Sequence, residues 1–352
     1  METKILKIDE SNIDKNLINV AANVIKDGGV VAFPTETVYG LGANAMDPKA
    51  IKNIFKAKGR PLDNPLIVHI ADFSWLSEVV HSVPDVARKL MDAFWPGALT
   101  IIMKKKSKIP YETTAGLDTV GVRYPSNKVA MEFIKACGVS IAAPSANVSG
   151  KPSATKGEHV ISDLNGKVDC IITSNDSKIG LESTVIDVTT GIPTILRPGV
   201  VTKEQILEVI GEVNCDKGIN EGLKKGEIPK APGMKYKHYA PNGQVIIVRG
   251  DLYKVIARIN KEVEYYINKG KKVGVLATKQ TELDYNFKDV MIRILGDRNN
   301  QETLANGLFG ILREFDQNNI DVILAEAVLA DGIGFAVMNR LIKAAGFNII
   351  EV

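Results

Sequence analysis

Lys58, Arg60 and His69 fall within the stretch 56–70, and their surroundings suit the capture of an anion. Asp47 is a good helix N-cap, Pro48 fits the first helical position, and Ile51, Ile54 and Phe55 share one face. Gly59 and Pro61 should end that helix and leave Lys58 and Arg60 on a short, stiff loop, acting on a ligand rather than on folding. Residues 66–70 then form an apolar run with His69 near its carboxyl end, the kind of strand end where open α/β sheets gather ligands. A solvated basic helix terminus that merely complements the helix dipole accounts for the same residues equally well.

Other stretches carry compatible chemistry. The expected strand 30–33 runs into PTETVYGLG (34–42), where hydroxyls, one carboxylate and two glycines suit either a binding turn or an ordinary connection. Arg123 sits in the apolar strand 119–124, so it faces an anion-filled cleft or an acidic partner. The strand 139–143 opens into PSANVSGKPS (144–153), whose small residues allow close approach and whose Ser145, Asn147 and Ser153 suit phosphate or sugar oxygens. A plain Ser/Gly/Pro loop is the alternative there. Further on, Ser183 and Thr184 open a strand, and the strand 192–196 ends at Arg197. If these loops converge, they make a cationic, hydroxyl-rich cleft without an evident nucleophile. Such a cleft fits phosphoryl or nucleotidyl transfer, where positioning and charge stabilisation do most of the work. The chain has no P-loop, no Gly-x-Gly-x-x-Gly after a strand and no Gly-x-Ser-x-Gly elbow. Its four histidines show no paired metal spacing, and His81 and His159 are expected to be structural.

The elements that must position these residues imply two domains, and 352 residues are enough for two cores. Up to about residue 211, short strands and helices alternate irregularly. Residues 214–241 are poor in apolar side chains and rich in lysine and proline, as in an interdomain linker. The end of that linker, PGMKYKHYAP (232–241), is too aromatic for a simple spacer. Beyond residue 244, strands (245–248, 272–276, 290–295, 322–325) alternate with helices (253–268, 303–315, 334–345), the pattern of a parallel sheet with helical cover. Lys plus Arg is 44 against 41 for Asp plus Glu, a +3 excess too small to imply bulk nucleic-acid binding. The three separate cysteines, with no Cys-x-x-Cys, fit a reducing cytoplasm. No apolar run approaches membrane-spanning length, and no apolar signal region follows the first residues.

The motifs PTETVYGLG (34–42), KGRP (58–61) with NPL (64–66) and His69, PSAN (144–147), GLEST (180–184) and LRPG (196–199) closely resemble the YrdC-like family. With PGMKYKHYAP (232–241) and a further domain behind it, the chain is similar to the long, two-domain threonylcarbamoyl-AMP synthases. That resemblance implies a YrdC-like, twisted, open and mostly parallel α/β sheet with a basic concave face over residues 1–211. It further implies a linker over 212–243 acting as an active-site lid, and a smaller Rossmann-like α/β domain over 244–352. The implied activity condenses L-threonine, bicarbonate and ATP into threonylcarbamoyl-adenylate and pyrophosphate. A separate transferase would pass the threonylcarbamoyl group to adenosine in tRNA.

By the same resemblance, Thr37, His69, Arg123, Ala143 (through its backbone) and Ser183 would hold threonine. Arg60, Asn64, Thr119, Ser145, Asn147, Ser153, Arg197 and Tyr236 would hold ATP, and Lys58 and Arg60 would serve catalysis. Mg2+ would travel with the nucleotide, and there would be no protein metal site. Two other functions compete. A carbamoyl-adenylate-forming enzyme of the hydrogenase-maturation type shares such a domain but carries zinc-finger cysteines, which this chain lacks. An RNA-binding module could use the basic concave face, although its net charge would normally be higher.

Overall fold

The computed structural model describes residues 2–221, 229, 231–232 and 238–352, and the chain divides into two units. The first comprises residues 1–149 and 153–236, the second residues 150–152 and 237–352. Tyr236 lies outside the described residues.

The first unit is built on eleven strands: β1 (Lys4–Lys7), β2 (Val31–Phe33), β3 (Gly40–Asn44), β4 (Ile67–His69), β5 (Leu99–Lys104), β6 (Thr119–Arg123), β7 (Ile141–Ala143), β8 (Cys170–Thr173), β9 (Thr184–Asp187), β10 (Thr194–Arg197) and β11 (Asn214–Cys215). They lie side by side in the order β1-β8-β2-β3-β7-β4-β6-β5-β9-β10-β11. Parallel and antiparallel neighbours are equally numerous, so the sheet is mixed, not mostly parallel as expected. One cause lies at residues 34–42, which are not all turn. Gly40–Asn44 returns antiparallel against Val31–Phe33. Gly42 is there for packing: a Cβ on it would lie 2.6 Å from Ile141 Cγ2 and 2.9 Å from Phe33 Cε1.

Helices cover this sheet where the sequence supplies caps. Asp14 accepts a hydrogen bond from the Asn16 amide at 2.8 Å and opens the helix Lys15–Lys26, which buries Ile18, Ala21, Ala22 and Ile25. Asn127 caps the helix Lys128–Cys137 in the same way, and Val129, Phe133 and Ile134 join that core together with Phe33 and Ile141. Each such aliphatic or aromatic side chain contributes about 1.5–3 kcal/mol on burial. The helix Pro48–Lys58 starts at Asp47 and stops at Gly59, whose φ of 62° is the left-handed conformation of a C-cap. Lys58 is therefore the last helical residue, not part of the loop, and it is 2% exposed. The strand Asn214–Cys215, within the stretch expected to be linker, pairs parallel with Thr194–Arg197 at the sheet edge.

The second unit has the regular alternation seen in the sequence. Its strands β12 (Gln244–Arg249), β13 (Val273–Ala277), β14 (Met291–Ile294), β15 (Val322–Glu326) and β16 (Ile349–Glu351) form an all-parallel sheet in the order β14-β13-β15-β12-β16. The helices Leu252–Asn268, Gln301–Gln317 and Gly332–Ala345 connect them. Ile259, Val263, Val275 and Leu324 lie at the heart of one core. Within this unit, Arg313 donates to the Pro152 carbonyl through Nε at 3.1 Å and a terminal nitrogen at 2.6 Å.

At the carboxyl end of β15, Glu326 is 1% exposed and accepts from Thr278 (2.8 Å), Thr281 (2.5 Å), Tyr285 (2.7 Å) and Arg298 (2.7 Å). Burial pushes the Tyr285 phenol up, and the adjacent Glu326 charge adds to that. Removing the carboxylate strands several buried donors at once. Glu326→Ala is therefore expected to lower the unfolding free energy of the second unit by about 3–5 kcal/mol. Urea titration of the full chain measures this, and a loss below about 1 kcal/mol would show that the donors find other partners.

Candidate active site

The register of the first sheet brings distant residues into one row. His69 lies opposite Arg123 across β4 and β6, and Arg123 lies opposite Thr100 across β6 and β5. On the next strand, Ser183 immediately precedes β9, and its hydroxyl is 2.8 Å from the Thr100 hydroxyl. Ile67 of β4 faces Ala143 of β7 on the other side. Residues opposite one another on neighbouring strands project to the same face, so sheet geometry alone gathers His69, Arg123 and Thr100.

Arg123 holds the row to the loop 34–39. Its terminal nitrogens donate to Glu36 Oε1 at 2.7 Å and Thr37 Oγ1 at 2.8 Å, and its Nε donates to the Gly97 carbonyl at 3.2 Å. Arg123 and Glu36 are 4% and 7% exposed, so this is a buried ion pair. Of the two alternatives for Arg123, the structure shows the acidic partner. Three of its five N–H donors are used, one from each nitrogen, leaving one on each terminal nitrogen. Burial works against the Glu36 charge, but the charge and hydrogen bond of Arg123, helped by the backbone amides of Glu36 and Ser126, outweigh it and hold the carboxyl below its ordinary value. The loop itself is stitched down. Thr35 Oγ1 donates to the Val38 carbonyl at 2.6 Å, and the carbonyls of Glu36 and Thr37 accept from the amides of Ile179 and Gly180.

His69 is buried, edge-on to Phe33, with Nδ1 3.1 Å from the Ile67 carbonyl. A carbonyl only accepts, so Nδ1 carries the proton and Nε2 is the acceptor of a neutral ring. Burial, reinforced by the charge of Arg123, depresses the imidazolium to about 3.

Of the remaining expected residues, Arg197 and Thr119 touch this row's surroundings, and the others make local contacts of their own. Lys58 Nζ donates to the carbonyls of Ser145 and Asn147, and the Ser149 amide donates back to the Lys58 carbonyl at 3.0 Å. Arg60, 9% exposed, reaches the carbonyls of Asn64 (3.5 Å) and Pro65 (3.3 Å). Neither cation is the loop-borne surface group expected from sequence: helix end and following turn fold both inward, so both also hold structure. Asn64 is 1% exposed, and its Oδ1 has no partner among the described residues. Ser153 donates to Glu182 at 2.5 Å. Arg197 donates to the Ser183 carbonyl (3.0 Å), the Ser183 hydroxyl (3.1 Å) and the Pro232 carbonyl (3.5 Å). Thr119 lines one cavity with Ile67, Thr100, Gly121 and Pro232. Glu36, Thr100 and Glu182 were not assigned roles from sequence. Glu36 was visible as the one carboxylate of its loop, but nothing in spacing pairs it with Arg123.

Among the described residues, no group of three or more His, Cys, Asp or Glu could hold a metal ion, and no helix is long and apolar enough to cross a membrane.

Comparison with known proteins places this arrangement. Residues 23–199 match the Sua5–YciO–YrdC family, described as Telomere recombination, which sets the class. Residues 201–346 match the threonylcarbamoyl-AMP synthase C-terminal domain. The chain is 47% identical over 350 residues to threonylcarbamoyl-AMP synthase of Pyrococcus abyssi, covering 99% of this chain and 100% of that protein. It is 47% identical over 344 residues to the Bacillus subtilis enzyme of the same name, covering 97% of each. The crystal structure of P. abyssi Sua5 complexed with L-threonine matches with a TM-score of 0.94 at 46% identity, over 99% of this chain and 100% of that one. This chain belongs to the threonylcarbamoyl-AMP synthase family, as its motifs implied.

The depressed imidazolium of His69 has a consequence for stability. The unfolded chain binds a proton at this residue between about pH 6.5 and about pH 3 that the folded chain does not, so stability falls as pH drops through that window. The slope from this one group is at most about 1.4 kcal/mol per pH unit. His69→Gln should remove that part of the acid sensitivity. Urea unfolding at about pH 7 and about pH 5.5 should show a smaller stability loss in the variant than in the parent. Equal losses would mean that His69 protonates freely in the fold.

Proposed function

We propose that the row His69–Arg123–Thr100–Ser183 and the cations beside it form the site where a threonylcarbamoyl-AMP synthase joins L-threonine, inorganic carbon and ATP. The observation that carries this reading is the sheet register that brings His69, Arg123 and Thr100 to one face, with Ser183 bonded to the end of the row. Thr37, His69, Arg123, the Ala143 backbone and Ser183 hold threonine. The two remaining N–H groups of Arg123 suit its carboxylate, and the Nε2 acceptor of neutral His69 suits its hydroxyl. Arg60, Asn64, Thr119, Ser145, Asn147, Ser153, Arg197 and Tyr236 hold ATP. Lys58 acts with Arg60 by fixing the carbonyls of the 144–149 loop and bringing positive charge to the transferring phosphate.

The chemistry balances as follows. The threonine ammonium gives one proton to solvent, and the resulting amine attacks the carbon of bicarbonate or CO2 to give a carbamate, releasing water in the bicarbonate case and a second proton to solvent in the CO2 case. A carbamate oxygen then attacks the α-phosphorus of ATP, and the bond to pyrophosphate breaks. Among the described residues no group of three or more His, Cys, Asp or Glu could hold a metal ion, so a Mg2+ ion would be held by phosphates and water. The product goes to a separate transferase acting on tRNA. We place the protein in the cytoplasm: Cys137 and Cys170 are buried thiols pushed by burial to about 12 and about 11, groups with no disulfide role.

Pyrophosphate release from ATP is expected to require both L-threonine and bicarbonate, with L-serine a poorer substrate because it leaves the methyl subsite empty. A malachite-green assay with pyrophosphatase reads this, and equal release without threonine would remove the assignment.

The stretch 212–243 acts as a lid in this reading. Ala231 is fully buried against Ile102, Val185 and Leu196, and the Pro232 carbonyl accepts from Arg197. These contacts anchor the start of PGMKYKHYAP to a residue of the ATP site. A lid would exclude water from a mixed anhydride that hydrolyses readily. Tyr236→Ala is expected to weaken ATP binding roughly tenfold by calorimetry, about 1.4 kcal/mol. ATP with threonine should also protect Lys235 from trypsin in the parent chain. Unchanged affinity and no protection would make the stretch a tether.

A further inference from the structure

Among the described residues Glu36 is the one acidic side chain bonded to Arg123, and one of its two carboxylate oxygens accepts no hydrogen bond. Oε1 accepts from Arg123 at 2.7 Å, while Oε2 is buried with no hydrogen-bond partner among the described residues. The residue is 7% exposed, and its backbone is pinned by the bond from the Ile179 amide at 2.9 Å, so the carboxylate cannot swing to solvent without opening the loop. A buried carboxylate oxygen without a donor is costly, and such a group is explained when a ligand supplies the donor. Arg123, on the other side of the pair, keeps one N–H on each terminal nitrogen. The pair thus offers an incoming molecule one anionic acceptor and two cationic donors side by side. An amino-acid zwitterion carries the complement of that pattern.

We infer that Glu36 binds the ammonium group of the amino-acid substrate through Oε2 while Arg123 binds its carboxylate. This deepens the reading of the Arg123 pocket as the threonine subsite and rests on it. Glu36 makes the pocket select α-amino acids over simple hydroxy acids, because an anion without an amine would face the unpaired carboxylate. It is a binding group and not the base that removes the amine protons: Arg123 keeps it ionised and below its ordinary proton affinity.

The test compares L-threonine with (R)-3-hydroxybutanoate, the same molecule without its amine, by calorimetry on the full chain. The parent should prefer threonine by at least about a hundredfold, and Glu36→Gln should lose at least about tenfold in threonine affinity. The same substitution should leave 3-hydroxybutanoate binding unchanged or tighter. Equal loss for both ligands would overturn the inference and leave Glu36 as a prop for Arg123; undiminished threonine affinity would overturn it as well. Should Glu36→Gln fail to fold, parity between the two ligands in the parent chain overturns it too. Arg123→Met separates the underlying reading: if that variant binds threonine as the parent does, the subsite itself lies elsewhere.

Discussion

The buried ion pair between Arg123 and Glu36 is the constraint on which the first unit depends. Burying a charge pair costs desolvation that attraction alone does not reliably repay, so the geometry around it must be well made. Here it is. β6 is held on both sides, by β4 and by β5, which fixes the Arg123 backbone. The loop bearing Glu36 is clamped by Thr35 inside it and by Ile179 and Gly180 outside it. Gly97 and Thr37 take two further guanidinium donors. Loosening any of these would leave a charge in apolar surroundings, which links the order of the loop to the integrity of the sheet.

The other cations of the site are handled differently. The bonds from Lys58 run to carbonyls of Ser145 and Asn147, those from Arg60 to carbonyls of Asn64 and Pro65. Those of Arg197 run to Ser183 and Pro232. Carbonyl oxygens satisfy donors without cancelling charge, whereas a carboxylate would do both. A cation held by carbonyl oxygens keeps more of its field for an arriving anion than one held by a carboxylate. In the proposed reading, burial of Lys58 and Arg60 serves both structure and ligand.

How much of this was legible follows from what each feature depends on. The helix Pro48–Lys58 was readable because Asp47, Pro48 and Gly59 act locally. The second unit was readable because its alternation of strand and helix is regular, and its sheet is all-parallel as that alternation requires. The mixed pairing of the first sheet was not, since neighbours such as β2 and β8 or β5 and β9 are far apart in sequence. Gly40 and Gly42 looked like turn residues, because nothing local shows that Phe33 and Ile141 will press against them. The site residues came from motif resemblance. The alignment of His69, Arg123 and Thr100 is a consequence of strand register. The burial of Lys58 and Arg60 and the pairing of Glu36 with Arg123 follow from how a helix end and loops fold inward, and spacing encodes none of this.

The charge layout also orders the chemistry proposed for the site. Around the row His69–Arg123–Thr100, the described charges balance: Arg123 is paired with Glu36, and burial keeps His69 neutral. A zwitterion brings no net charge and suits such a place. In the proposed reading Lys58, Arg60 and Arg197 serve the triphosphate, where positive charge favours an anion. Carbon addition to the amine removes a positive charge and creates a negative one, so the intermediate is less at home beside Glu36 than threonine was. The same field that holds the zwitterion therefore works against the carbamate in place, while the neighbouring cations attract it. The balanced pocket suits the zwitterionic substrate in this proposed reading, and the cations beside it suit the carbamate and the phosphates.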